Sequence, residues 1–216
     1  MFDLSKYHLH DLTHAYDDSI AGFSEEPART LSKDGWNAKT LTLYSHAGTH
    51  MDAPLHFGIS DHTIDQYTPN DLMGKAWIAD VEIFEGKQLI ELDDVINQLK
   101  GFQSGDCLVI RTNWSKKFKE SNFKADLPRI SEGLAHWCCE QKVKMLGVEP
   151  LSVADVEDLD EVTRIHHILM KGNVTIIEGL RNLGGIKSHS VFLIALPLKI
   201  KNGDGAPARV IAFEEK

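Results

Sequence analysis

Short apolar runs alternate with segments of helical periodicity along most of the 216-residue chain. Residues 39–44 alternate polar and apolar side chains, which predicts a strand with one buried face. Residues 91–99 carry apolar side chains three and four positions apart, which predicts a short helix, and a second helix is predicted at 131–142. Further strands are predicted at 76–84, 107–111, 145–148, 174–177 and 191–195. This order of elements indicates an α/β fold, and the length suits one domain spanning residues 1–216.

Three polar segments interrupt this pattern. Residues 1–36 are mixed in character and predict a short strand followed by a loop that covers the functional site. Residues 116–124 are rich in charge, and residues 154–161 form an acidic run. Runs of charge without fixed geometry are typical of solvated segments, so both are predicted to be exposed loops.

Composition narrows the classes of function. The chain is 42% hydrophobic and 25% charged, as ordinary globular proteins are. A net charge of −9 argues against a nucleic-acid surface, which needs clustered Lys and Arg. No apolar run is long enough to span a membrane, and the N-terminus lacks a secretory hydrophobic region. Three cysteines without a CxxC pair predict a reducing, cytoplasmic setting.

Candidate metal ligands are most closely spaced between residues 45 and 57. Four of them fall within eleven residues: His46, His50, Asp52 and His56. Neutral imidazole and ionised carboxylate are the usual ligands of zinc or manganese. On a straight strand His46 and His50 would lie about 13 Å apart, too far to share one ion. The chain must therefore coil between them, which Gly48 permits because glycine adopts backbone angles closed to other residues. These residues predict a tight metal-binding loop that leaves a strand.

A second informative stretch follows the acidic run. His166 and His167 open a helical turn that ends at Gly172, and residues 174–177 form a buried strand that ends at Glu178. A carboxylate at the end of such an apolar strand needs a partner, because an unpaired buried charge is costly. A metal ion or an arginine would serve. A path of helix, turn and strand folds back on itself, so it can bring the histidine pair close to Glu178.

Both stretches resemble one family. The first reads H-x-G-T-H-x-D-x-P-x-H, which resembles the motif of the cyclase-like metal-dependent hydrolases, a family that includes bacterial kynurenine formamidase and isatin hydrolase. The seven fixed positions are His46, Gly48, Thr49, His50, Asp52, Pro54 and His56. The second resembles the family's second half-site, a histidine and a glutamate twelve residues apart, which His166 and Glu178 match. A match at this many fixed positions is a specific signal.

The resemblance implies a swivelling β/β/α fold with a mixed, barrel-like sheet flanked by helices. It also implies a homodimer or homotetramer with pockets near the subunit interface. The implied cofactor is zinc or manganese, with two ions in the formamidase branch and a single manganese in the isatin hydrolase branch. The implied metal ligands are His46, His50, Asp52, His166 and Glu178. The first three hold one ion, the last two hold the other, and Asp52 bridges them.

The metal chemistry of this ligand set would serve hydrolysis of an amide, lactam or ester, and the resemblance implies a carbon–nitrogen bond in an amide, formamide or cyclic amide, as in arylformamidases. A divalent ion lowers the pKa of bound water from about 15.7 to about 7, and a histidine that titrates at about pH 6.5 can move the proton. The resemblance assigns this proton shuttle to His56, whereas spacing alone leaves His56 as a possible ligand. Other classes stay open: an isatin-like or lactone-type cyclic substrate, a metal-dependent lyase or dehydratase, and a metal-binding module without catalysis.

The substrate, a small molecule, is expected to contact the N-terminal segment. In the family an equivalent segment lines the pocket, which makes His14 a candidate substrate-binding residue. The formamidase branch has a Trp-Pro-Gly-Asp loop there, whose tryptophan packs on the aromatic substrate. The corresponding residues here, 19–24, lack the Trp and the Pro. Phe23 is the candidate replacement for that ring.

Overall fold

The described residues, 3–216, form twelve strands and four α-helices in this computed structural model. The strands are β1 (Tyr7–Asp11), β2 (Phe23–Arg29), β3 (Ala38–Leu43), β4 (His50–Asp52), β5 (Met73–Asp80), β6 (Leu89–Ile90), β7 (Cys107–Arg111), β8 (Arg129–Ile130), β9 (Met145–Val148), β10 (Thr175–Glu178), β11 (Ser190–Pro197) and β12 (Gly205–Glu215). The α-helices are α1 (Leu31–Asp34), α2 (Leu92–Val95), α3 (Glu132–Glu140) and α4 (Leu159–Lys171). Short 3-10 helices lie at Leu4–Lys6, Pro54–Phe57, Ile64–Gln66, Ile96–Gln98, Trp114–Lys117 and Leu183–Gly185.

Seven of these strands close into a barrel, in the order β12, β11, β5, β7, β9, β10, β4 and back to β12. The neighbours from β5 to β10 run parallel, and the remaining pairs are antiparallel. The first three residues of β12 pair with β4, and its last five pair with β1. The prediction of an α/β fold with a mixed, barrel-like sheet is therefore confirmed.

Alternate residues of the central strands supply two apolar cores, because successive side chains of a strand point to opposite faces. On β7, Val109 packs inside the barrel, whereas Leu108 and Ile110 pack against the helices. Leu134 of α3 and Leu169 of α4 belong to the core between the barrel and the helices, with Leu108 and Ile110. Strands buried on both faces read as continuous apolar runs. This is why the sequence locates β7, β9 and β10 within a residue of their observed bounds.

The helix that carries His166 begins earlier than the sequence predicts. Residues 154–161 are predicted as a solvated loop, but Ala154 and Asp155 are buried and α4 begins at Leu159, so that prediction is wrong at both ends. The side chain of Asp158 accepts hydrogen bonds from two backbone amides of the first helical turn. Acidic groups at this end are favoured by capping and by the helix dipole. His166 therefore lies within a helix of 13 residues, buried on its inner face.

The N-terminal segment contains more regular structure than predicted. The short first strand is found as β1, but the predicted covering loop is partly replaced by a hairpin of β2 and β3. The strand predicted at 39–44 is present, yet its central residues are exposed on both faces, and Leu41 is 53% exposed. None of the helices in residues 3–216 is long and apolar enough to cross a membrane.

Glu214 is a buried carboxylate that holds the end of β12, and its replacement by glutamine is expected to destabilise the fold. Its oxygens accept hydrogen bonds from the backbone amides of Lys187 (2.7 Å) and Ser188 (2.6 Å), and one lies 2.7 Å from Nε2 of His10. Burial alone would raise the pKa of Glu214, but these donors outweigh it and lower the pKa to about 2. The loss of charged hydrogen bonds should cost about 1–3 kcal/mol of unfolding free energy at neutral pH.

The pH dependence gives the sign of this effect. Because the folded-state pKa of Glu214 lies below its ordinary value of 4.5, its stabilising contribution is present above pH 4.5 and is lost as the pH falls toward 2. Urea unfolding should show a shallower pH dependence for Glu214→Gln than for the wild type across this window. Glu215→Gln, which alters the exposed next residue, is the control and should match the wild type. Equal slopes for all three proteins would contradict the prediction.

Candidate metal centre

Strand pairing brings the two candidate ligand stretches together. β4 lies between β10 and β12, and His50 is directly opposite Glu178 across the antiparallel β4–β10 pair. On the other edge of β4, Asp52 is opposite Gly205 of β12. His166 approaches from α4, where its ring stacks on Phe57 at 4.4 Å between centroids. Side chains that are distant in the chain therefore meet at the point where the barrel closes.

The backbone of the first loop is held by the glycine and threonine of the motif. Gly48 has a φ of +61°, a conformation that favours glycine. Thr49 Oγ1 donates a hydrogen bond of 2.6 Å to the carbonyl oxygen of Gly179. A Cβ at Gly179 would lie 2.4 Å from the carbonyl oxygen of Gly48, so only glycine allows the two loops to approach this closely. These contacts fix the loop beside the end of β10, where Glu178 stands.

Four buried side chains form one compact group. Nε2 of His50 lies 3.1 Å from Glu178 Oε2, and Nε2 of His166 lies 3.4 Å from Glu178 Oε1. Each of these nitrogens is also 3.6 Å from an oxygen of Asp52. Ligands about 2.0–2.1 Å from a tetrahedral cation lie about 3.3 Å apart, which matches these separations. Burial alone would raise the pKa of Glu178, but the two imidazoles outweigh it and hold the pKa well below its usual range.

The hydrogen bonds of the two histidines leave their Nε2 atoms directed at the carboxylates. His50 Nδ1 donates to the carbonyl of Gly48 at 3.0 Å, and His166 Nδ1 donates to the carbonyl of Val162 at 2.6 Å. Between them, Oδ2 of Asp52 is buried without any hydrogen-bond partner. A buried carboxylate oxygen is costly to leave unpaired. Two imidazole nitrogens beside a carboxylate with one unsatisfied oxygen are a donor set that fits a divalent cation.

His46 and His56 form a second group around the same aspartate. Nδ1 of His46 lies 2.8 Å from Asp52 Oδ1, and its ring stacks on that of His56 with centroids 3.8 Å apart. Ligand atoms of these three residues all lie within 4.8 Å of one another. The implied division of ligands differs from this grouping, because His50 lies with Glu178 rather than with His46. Geometry alone, like spacing alone, leaves His56 within reach of an ion.

The electrostatic surroundings separate the two stacked histidines. Burial alone would lower the pKa of His46, but hydrogen bonds and charge from Asp52 and Asp204 outweigh it and raise the pKa to about 9. The pKa of His56 is lowered, chiefly by burial and then by the nearby His46. His56 is therefore the imidazole of this pair that is neutral at pH 7, as a proton acceptor must be.

A cavity of about 520 Å³ opens over this centre. His46, His50, His56, His166 and Glu178 lie at its floor. Its apolar walls are Ile20, Tyr44, Phe57, Phe118, Phe123 and Leu151. The volume suits a small organic molecule, with its polar group at the floor and its apolar part against the walls.

The two predicted substrate-binding residues lie behind this wall. His14 is buried, and its ring packs on Phe118 at 4.3 Å between centroids. Phe23 begins β2, and its ring contacts Tyr16 rather than the cavity. Neither residue is among those that line the cavity, where Ile20 and its neighbours occupy the N-terminal side instead. The pairing of β2 with β3 turns the chain away from the site at Phe23, so the predicted replacement of the formamidase ring does not border the cavity in this structure.

Other lining residues were missed by sequence reasoning. Residues 116–124 are predicted to be a solvated loop, but Phe118 and Phe123 turn inward, line the cavity and pack on each other at 5.2 Å. Two aromatic residues within a charged run are the signal that indicates a packed segment. Asp204, which does not line the cavity but lies 3.0 Å from His46 Nε2, was also missed. Its only signal is a carboxylate between two glycines, which is equally typical of a turn.

Comparison with known proteins places the chain in a family. Residues 10–155 match the family model described as Cyclase, putative cyclase. The chain is 30% identical over 190 residues to a kynurenine formamidase of Bacillus cereus, covering 88% of this chain and 86% of that protein. A structure of a predicted metal-dependent hydrolase from Bacillus stearothermophilus is similar over 97% of this chain and 99% of its own, with a TM-score of 0.77 and 25% identity.

Isatin hydrolase A from Labrenzia aggregata, bound to benzyl benzoate, is similar over 98% of this chain and 95% of its own, with a TM-score of 0.88. At 20% identity this likeness shows the shared fold, and it confirms the predicted cyclase-like architecture. The family model and the formamidase relatives show more than the fold, because they extend over most of the sequence. The chain belongs to the putative cyclase family and is a hydrolytic enzyme of its metal-dependent, cyclase-like class.

Proposed function

We propose that the protein hydrolyses the carbon–nitrogen bond of an amide, with an arylformamide-like substrate as the first candidate. The observation that carries this proposal is the buried Oδ2 of Asp52, which has no hydrogen-bond partner and lies 3.6 Å from Nε2 of His166, an imidazole that lines an apolar cavity. The kinship with kynurenine formamidases supports an acyclic amide. A hydrolysable bond seated at this floor would have its apolar substituent against the aromatic walls.

We propose further that two divalent ions, zinc or manganese, bind to each chain. His46, His50, Asp52, His166 and Glu178 would hold them. The presence of Asp52 in both groups of candidate ligands supports the binding of two ions close to this residue. Ions held here would supply Lewis-acid chemistry, polarising a carbonyl group and making water more acidic.

The chain's own groups would perform the proton transfers. His56 borders the cavity with its side chain 27% exposed, and its lowered pKa keeps it neutral. It would accept a proton from the attacking water and then deliver that proton to the leaving nitrogen. Phe57 and Phe118 would pack on the substrate's apolar part, which orients the amide and limits access of further water. The role of His56 follows from its place at the cavity and its neutral form, and the roles of Phe57 and Phe118 follow from their place in the cavity wall.

A cyclic amide is the second candidate substrate. The departure from the formamidase loop at residues 19–24 favours it, because the ring-stacking tryptophan of that branch is replaced here by a wall that includes Ile20 and Phe118. An acyclic aryl formamide and a cyclic amide present the same bond type to the floor of the cavity. They differ in how much of the wall they contact, so relative rates on the two would distinguish them.

The test begins with metal analysis of the purified protein, followed by removal of the metal with a chelator and reloading with zinc or manganese. Formanilide, isatin and a simple lactone are then assayed. Hydrolysis of an amide substrate, lost on removal of metal and restored by it, is the expected result. Bound metal without turnover of any of the three would indicate a binding module. A product without oxygen from solvent water would indicate a lyase.

We also propose that the protein is cytoplasmic and assembles as a homodimer or homotetramer. All three cysteines are free thiols, which supports a reducing compartment. The hairpin of β2 and β3 supports self-association, because a two-stranded hairpin exposed on both faces is marginal without a partner. Leu31 and Trp36, near its tip, are 64% and 58% exposed. Light scattering would measure the mass, and a monomer would contradict the assembly.

A further inference from the structure

Asp204 stands where the last turn of the chain meets the first ligand loop. It directly precedes β12, and its carbonyl oxygen accepts a hydrogen bond of 2.9 Å from the amide of Ala53. The next residue, Gly205, is paired with Asp52, and a Cβ there would lie 2.6 Å from Cε1 of His46. The backbone that carries the Asp204 side chain is therefore fixed against the loop of candidate ligands.

One oxygen of Asp204 faces two imidazoles at once. Oδ2 lies 3.0 Å from Nε2 of His46 and 3.6 Å from Nδ1 of His56. The hydroxyl of Ser45 donates to the same oxygen at 3.5 Å. The two rings are stacked at 26° between their planes, so both present a nitrogen to this carboxylate from the same side. Asp204 does not line the cavity, and any effect it has on the reaction must pass through these rings.

We infer that Asp204 is a positioning residue that orients His46 toward the metal centre and His56 toward the substrate; the inference rests on the proposed function. When Nε2–H of His46 donates to Asp204, Nδ1 is the ring nitrogen left to bind a cation beside Asp52, whose Oδ1 lies 2.8 Å away. His50 and His166 use the same device with the nitrogens exchanged, since their Nδ1 atoms donate to backbone carbonyls. A ligating histidine commonly donates its second ring nitrogen in this way, which fixes its tautomer and raises its basicity.

The carboxylate of Asp204 also favours one tautomer of His56, the proposed proton shuttle. A negative charge 3.6 Å from Nδ1 of His56 favours the tautomer that carries its hydrogen on that nitrogen. Nε2 is then left as the acceptor, and the proposed proton shuttle would use this nitrogen. Asp204 thereby couples the orientation of a proposed ligand to that of the proposed base.

The test compares Asp204→Asn with Asp11→Asn. The first variant keeps the shape of the side chain but removes its charge. The second removes the carboxylate of Asp11 on β1. That carboxylate binds Arg209 of β12, away from the candidate metal centre. For each purified protein, competition with a chromophoric chelator gives the metal dissociation constant, and assays at saturating metal give kcat and KM separately. Far-UV circular dichroism checks folding, and Asp204→Ser is a second variant, since the backbone of this turn makes the structural contacts.

Asp204→Asn should weaken metal affinity by about 10–100-fold. It should also lower kcat at saturating metal with KM unchanged, because the residue does not line the cavity. Asp11→Asn should change none of these values. Wild-type affinity and kcat in both Asp204 variants would overturn the inference, as would an equal loss in Asp11→Asn. Complete loss of one ion would make Asp204 a ligand and would also overturn it. A wild-type protein that binds no cation would refute the proposed function itself, and this inference with it.

Discussion

Replacing His56 with alanine is expected to reduce kcat by about 10²–10⁴-fold while the protein keeps its full content of metal. The reason is that His56 is the half-buried imidazole at the cavity, with a pKa lowered by burial, whereas the candidate ligands His50 and His166 are nearly inaccessible. The measurement pairs elemental analysis of the variant with its kcat on the same preparation. Both numbers are needed, because loss of an ion would also abolish turnover.

His62→Ala is the matched control for this prediction. His62 is a nearby imidazole that packs on Tyr67 and borders a different cavity. Its removal should leave both kcat and metal content close to those of the wild type. If His56→Ala lost an ion, His56 would be a ligand, which is the alternative that the spacing of the motif leaves open. If the variant kept both its metal and its kcat, the proton shuttle would have to be another group.

Asp52→Asn is expected to lose both ions and all measurable turnover. Oδ1 of Asp52 lies 2.8 Å from His46 Nδ1, and Oδ2 lies 3.6 Å from His166 Nε2, so one side chain faces both groups of candidate ligands. Asparagine keeps the shape but replaces one oxygen by an amide nitrogen that cannot bind a cation, and it removes the charge. Elemental analysis after dialysis against a trace of metal, with kcat on the same sample, measures the effect.

Two further variants define how specific that loss is. Asp61→Asn removes an exposed carboxylate outside the centre and should behave as the wild type. Glu178→Gln removes a carboxylate that lies near His50 and His166 but not near His46, and it should cost one ion and spare the other. Retention of one ion by Asp52→Asn would show that this aspartate is not shared.

The central barrel strands β7, β9 and β10 were predictable because their signal is local, whereas β4 was predicted as part of an irregular loop. Residues 107–110 are buried on both faces of the sheet, and their continuous apolar run indicates this burial. The strand at Ala38–Leu43 has an equally clear alternation, and its presence is confirmed, but the prediction of one buried face is wrong. Burial depends on which element covers a strand, and no nearby residue encodes that. β3 therefore has the sequence pattern of a half-buried strand, although its central residues are exposed on both faces.

The candidate site was predictable as a set of residues and not as a geometry. Short spacing indicates that His46, His50 and Asp52 lie on one loop. It cannot indicate that His50 faces Glu178, since that contact comes from the register of β4 with β10. The contact of Asp204 with His46 depends in the same way on where β12 begins beside β4. Such contacts between distant segments are set by strand pairing, which one sequence does not reveal.

The closure of the barrel through β4 has a consequence for the stability of the enzyme. The strand that joins β10 to β12 has three residues, and the first and last of them, His50 and Asp52, are proposed to bind metal. Without a cation, the seam would be held by few backbone contacts beside a carboxylate oxygen that has no partner. Loss of the cation would then loosen the barrel locally at β4. A bound cation would therefore help to close the barrel as well as take part in the reaction.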